Sequence, residues 1–164
     1  MTVARPELHR PVPADRVGAA GHEVTDEANE VECAALARRL RLPGVLALHC
    51  TFRLVRLAAG CVLAEGHMRA EVMQTCVVSL DDFPSGIDER FRVRFVPAGQ
   101  ESDDPDPEAD DEIGYSGGVL DLGEAAAEQL ALALDPYPRA PGAELPEIET
   151  DADANPFAAL RRRH

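Results

Sequence analysis

Three arginines at alternate positions, Arg90, Arg92 and Arg94, are the residues of this chain whose type and spacing best suit chemistry. A guanidinium fork matches the geometry of a phosphate group. Alternate residues of a strand lie on one face and about 6.6 Å apart, close to the spacing of phosphates along a nucleic-acid strand. Phe91, Val93 and Phe95 fill the positions between and after them. Burying that apolar set turns all three arginines the other way together. Arg69 and His67, on the polar side of a neighbouring run, would widen the patch. The competing use is structural, with the arginines pairing to Glu65, Glu71 or the neighbours of Arg69 across a sheet. Contact with RNA or a partner and internal charge pairing therefore both stay open.

The remaining chemical candidates have simpler readings. Arg161, Arg162 and Arg163 form a second basic spot, at the end of a segment from Pro156 that reads as a short amphipathic helix carrying Phe157 and Leu160. A frayed end explains it equally well. His9, His22, His49, His67 and His164 show no H-x-x-x-H or H-E-x-x-H spacing. His49 and His67 would face each other across a hairpin, but two imidazoles without a third ligand make a poor metal site. Ser79 lacks the G-x-S-x-G elbow. Ser116-Gly117-Gly118 lacks the lysine of a phosphate loop. Asp121 and Glu124 suit a helix cap and first turn. Asp135-Pro136-Tyr137-Pro138-Arg139 suits a helix stop followed by chain return. Cys33, Cys50, Cys61 and Cys76 form no C-x-x-C pair and suit small buried hydrophobes. No catalytic residue, cofactor-binding residue or metal ligand is expected, and the chain reads as a non-enzyme.

Composition narrows the class further. The 164 residues carry a net charge of −14 with a pI near 4.6, 45% hydrophobic and only 4% aromatic residues, and no Trp. An aliphatic core in one domain over residues 1–141 is expected. Residues 142–164 read as an acidic linker and a short C-terminal element. The acidity repels phosphates except at a local basic patch, and DNA is not an expected partner. No run approaches the roughly 18 apolar residues of a membrane span. The N-terminus lacks the apolar core of a signal peptide, so a soluble cytoplasmic protein is expected.

Periodicity supplies the elements that would position the arginines. Glu7 to Val17, with its prolines, reads as one edge strand. Thr25 or Asp26 caps a helix to about Leu40, with Val31, Ala34, Ala35 and Leu36 as its apolar residues. Val45 to Leu57 alternates, with Leu46, Leu48, Cys50, Phe52 and Leu54 on one face and His49, Thr51 and Arg53 on the other. Ala58-Ala59-Gly60 turns the chain. Cys61 to Val78 returns, with Val62, Ala64, Met68, Ala70 and Val72 facing inward. A turn at Pro84–Gly86 then leads into the arginine run. Gln100 to Glu112, with eight acids and two prolines, reads as a disordered loop, as does 142–154. A short extended run from Val119 precedes a helix from Gly123 to Asp135, packed through Ala127, Leu130 and Leu134. The expected fold is α+β: an antiparallel meander, open or barrel-like, covered by helices near 26–40 and 123–135.

Gln74-Thr75-Cys76-Val77-Val78-Ser79-Leu80, Phe91-Arg92-Val93-Arg94-Phe95, Ile113 through Pro141 and Asn155-Pro156-Phe157-Ala158 occur in the order seen in the YceD family. Asp121-Leu122-Gly123-Glu124, then Glu128-Gln129-Leu130 and Asp135-Pro136-Tyr137-Pro138, is the most specific part. Over most of residues 5 to 160 the chain resembles these large ribosomal RNA subunit accumulation proteins, in particular their alphaproteobacterial branch. The resemblance implies a role in synthesis, processing or stability of 23S ribosomal RNA and in large-subunit assembly. It implies ribosomal RNA precursor or a basic large-subunit ribosomal protein as partner. Many members carry C-x-x-C where this chain has Cys76 followed by Ser79, so a metal or redox role for that pair is not carried over. A processing ribonuclease or an indirect metabolic regulator is the alternative function.

Overall fold

The three alternating runs form the centre of a five-stranded sheet in the computed structural model, which describes residues 6–102 and 110–144. In chain order the elements are β1 (Pro11–Pro13), β2 (His22–Glu27), α1 (Glu30–Leu40), β3 (Gly44–Arg56), β4 (Val62–Thr75), β5 (Asp82–Pro97), β6 (Asp111–Tyr115), β7 (Val119–Asp121) and α2 (Leu122–Ala133). The main sheet runs β2-β3-β4-β5-β6, and β1 pairs with β7 in a small second sheet. Its first four strands are antiparallel, and β6 runs parallel to β5. β2 and β6 do not pair with each other, so the α+β class stands and the sheet does not close into a barrel. No helix among the described residues is long and apolar enough to cross a membrane.

Side-chain alternation holds along β4, where Val62, Ala64, Met68, Ala70 and Val72 are all buried. In β3 a bulge between Val45 and Ala47 shifts the register. The extra residue swaps faces, so Val45 joins the core and Leu46 is 56% exposed, against expectation. The Pro84–Gly86 segment is not a turn. It lies inside β5, opposite Met73 to Glu71, while the chain reverses earlier at 76–81. This half of β5 lies beyond the reach of β6, which begins opposite Val93. Proline is tolerated on such an open flank because no neighbouring strand needs its N–H.

The helices begin and end for local reasons. Thr25 and Asp26 belong to β2, and α1 is capped instead by Asn29, which accepts from Val31 and Glu32 N–H while Glu32 accepts from Asn29 N–H. That capping box fixes the start three residues later than expected. Cys33, Leu36 and Ala37 make the buried face, and Val31 and Ala34 are exposed. Asp121 caps α2 through Gly123 and Glu124 N–H. Ala127 and Leu130 are fully buried, joined by Leu122, Ala125 and Ala126. The helix ends at Ala133, two residues before Asp135, whose carbonyl accepts from buried Gln74.

Both helices pack on one side of the sheet, in one apolar cluster with Phe52, Leu54, Met68, Val93 and Phe95. Two cations clamp the N-terminal segment over this layer. Arg10 pairs with Asp26 and with Glu32 at 2.7 Å, and Arg39 bridges Glu7 at 3.0 Å and Glu124 at 2.5 Å. The opposite side of the sheet carries neither helix, and the arginine run faces it.

Candidate nucleic-acid interface

Strand register decides which polar side chains share the open face. Arg92 stands opposite Glu65 and Arg90 opposite His67 on β4, and these stand opposite Arg53 and Thr51 on β3. One row further along, Asp88 faces Arg69, which faces His49. His49 and His67 are therefore not partners across the hairpin, as their spacing had suggested; each faces a different residue. Thr51, Arg53, Glu65, His67, Arg90, Arg92, Asp110 and Asp111 surround a depression of about 650 Å³. Gly66 and Phe91 complete its lining. The Phe91 ring lies on the helix side, across Gly66, in a T-shaped contact with Phe52 at a centroid distance of 5.8 Å. All five basic residues singled out by spacing, Arg90, Arg92, Arg94, Arg69 and His67, thus lie on one face.

Most of them already have acidic neighbours. Arg92 pairs with Asp110 at 3.4 Å and Arg94 with Glu112 at 3.6 Å. His67 and Arg69 share Asp88, at 2.6 and 3.2 Å. The hydrogen bond from His67, helped by the charges of His67 and Arg69, holds the Asp88 carboxyl below its usual range. Glu65 and Glu71, the expected partners, are displaced by acids from the Gln100–Glu112 stretch. The end of that stretch is not loop: Asp111 and Glu112 start β6, while 103–109 lie outside the described residues. Arg53 and Arg90 have no ion-pair partner among the described residues. Arg53 stands out in the sequence only as a polar alternate of β3, and register alone puts it in one row with Arg92, across Glu65. The Arg161–Arg163 spot, the helix from Pro156 and most of 142–154 lie outside the described residues.

The sequence words shared with the resembled family serve the scaffold. Asp121 caps α2 and also accepts from Arg10 N–H at 2.9 Å and pairs with His9. A methyl at Gly123 would lie 2.5–2.9 Å from the backbone of Leu8 and His9, so only glycine lets that segment cross. Glu124 holds Arg39. Gln74 binds the Asp135 carbonyl and Val77 N–H the Pro138 carbonyl, so Gln74–Leu80 and Asp135–Pro138 form one joint. Within it the fully buried Cys76 sulfur accepts from Val78 and Ser79 N–H, each at 3.4 Å. Hydrogen bonds from Ser79, hydroxyl first and N–H second, bring the thiol down to about 6, outweighing burial. Burial acts the other way on Cys50, pushed up to about 12, with Asp26 adding to it. Among the described residues no three His, Cys, Asp or Glu side chains gather to hold a metal ion.

A family model described as large ribosomal RNA subunit accumulation protein YceD matches residues 64–161, more than half of the chain. The match begins within β4, so Arg69 and the whole arginine run fall inside it and Arg53 outside. No curated protein and no solved structure matches.

Proposed function

Because the chain belongs to the YceD family of large ribosomal RNA subunit accumulation proteins, we propose that it is a non-enzymatic assembly factor of the large ribosomal subunit. It supports synthesis, processing or stability of 23S ribosomal RNA by holding precursor RNA on the helix-free face of its sheet. It works in the cytoplasm, where the subunit is built. The observation that carries the reading is the convergence of Arg90, Arg92, Arg94, Arg69, His67 and Arg53 on one open face, in a chain whose charge is otherwise strongly acidic. An acidic protein approaches a phosphate backbone through local cations such as these.

A nuclease reading has less support. Metal-dependent cleavage calls for carboxylates gathered around an ion, whereas Asp110 is engaged with Arg92 and Asp88 with His67 and Arg69. Incubation with precursor ribosomal RNA and magnesium separates the two, because only the nuclease shortens the RNA. For the binding reading, charge reversal of Arg90, Arg92 and Arg94 to Glu is introduced in cells, and particle association is followed by gradient sedimentation and by crosslinking with sequencing. The expected result is lost association by a folded protein. Normal association would overturn the reading and favour a basic ribosomal protein bound to the acidic surfaces.

A further inference from the structure

Along the described strands the helix-free face carries paired cations and no Phe, Tyr or Trp, its ring side chains being His49 and His67. Phe52, Phe91 and Phe95 all lie on the helix side, and Tyr115 turns its hydroxyl to the Gly60 carbonyl. The row through the depression alternates in sign, from Glu23 through Arg53, Glu65 and Arg92 to Asp110. Surfaces that read single strands place aromatic rings where splayed bases can stack. Double-helical RNA is instead held by its shape, through phosphates and 2′-hydroxyls. Arg53 and Arg90, without ion-pair partners among the described residues, and the Thr51 hydroxyl offer that kind of contact.

Resting on the reading above, we propose that this face takes the sugar–phosphate backbone of double-helical RNA, with Asp110 and Glu112 setting its selectivity as internal competitors. The two carboxylates sit against Arg92 and Arg94 where phosphates would otherwise go. A lone anion gains too little to displace them. A backbone that also engages Arg53 and Arg90 meets several cations at once, and the contacts reinforce one another. β6 supplies the device: its parallel register sets Glu112 directly opposite Arg94 and brings Asp110 to Arg92.

The test uses the full chain, a labelled RNA duplex, an unstructured single strand of equal length, and fluorescence anisotropy across a salt series. The wild type is expected to hold the duplex more tightly than the single strand. Asp110→Asn with Glu112→Gln is expected to tighten duplex binding about 2- to 30-fold, the range for releasing two exposed ion pairs. The slope of log affinity against log salt is expected to steepen by about 0.7–0.9 for each arginine freed. Equal or tighter binding of the single strand overturns the assignment to double-helical RNA. Unchanged or weaker duplex binding by the neutralised variant, with its melting intact, overturns the competitor role. If the Arg90, Arg92 and Arg94 charge reversal leaves duplex affinity intact, the face itself is not the site, and the RNA reading falls with the refinement.

Discussion

Gly66→Ala tests the packing that sets the face of the arginine run. A methyl at position 66 would lie closer than 3.0 Å to three ring carbons of Phe91, where ordinary carbon contacts lie at about 3.5–4.0 Å. The ring cannot simply retreat, because it also packs against Phe52 in a T-shaped pair at 5.8 Å. Overpacking of this kind costs about 1–3 kcal/mol. Disturbing the aromatic pair adds about 0.5–1.5 kcal/mol. A total of about 2–4 kcal/mol lowers Tm by roughly 4–16 °C in a chain of this size. Urea titrations and thermal melts of wild type, Gly66→Ala, Phe91→Ala and the double variant close a mutant cycle. With the ring gone the added methyl has nothing to strike, so the double variant should be no less stable than Phe91→Ala, with a coupling equal to the full cost of Gly66→Ala, about 2–4 kcal/mol. If Gly66→Ala costs the same with and without the ring, or melts like wild type, Phe91 does not cover Gly66 and the described register of β4 and β5 is wrong.

Leu130→Asp should abolish cooperative melting, because it places an unpaired charge at a fully buried site of α2. Leu132→Asp on the same helix, at a position 70% exposed, should stay within about 0.5 kcal/mol of wild type, and an equal effect of both would refute the orientation of the helix. Cys76 predicts a pH dependence. Its thiol is depressed in the folded state to about 6, so its contribution is present above the ordinary thiol range and is lost as pH falls toward 6. Stability measured by urea should therefore rise between those limits in wild type and rise less in Cys76→Ser, and parallel profiles would show that the sulfur does not titrate there. Alkylation followed by mass spectrometry should still label partly exposed Cys61 before Cys76, because burial restricts access.

Period-two alternation by itself determined the faces of β4 and the second half of β5, because one buried side forces every other residue outward. It therefore placed Arg90, Arg92 and Arg94 together, and it set Arg69 and His67 on the polar side of their own strand. The apolar spacing of Ala127 and Leu130, with Asp121 ahead of them, determined α2, since cap and periodicity are local signals. β2 escaped notice because His22–Glu27 holds a single apolar residue, Val24; its place in the sheet comes from pairing with β3, and its inward Asp26 is held by Arg10. β6 escaped because Asp111 and Glu112 close an acidic run, and parallel pairing with β5 leaves no short-range trace. Register across strands is a long-range property, and tertiary structure alone set it. It put Arg53 in one row with Arg92 across Glu65, separated His49 from His67, and brought Asp110 and Glu112 onto the arginines. The cationic stripe was thus written in one strand's local pattern. Its counter-charges arrive from a segment that reaches them only once the sheet has formed.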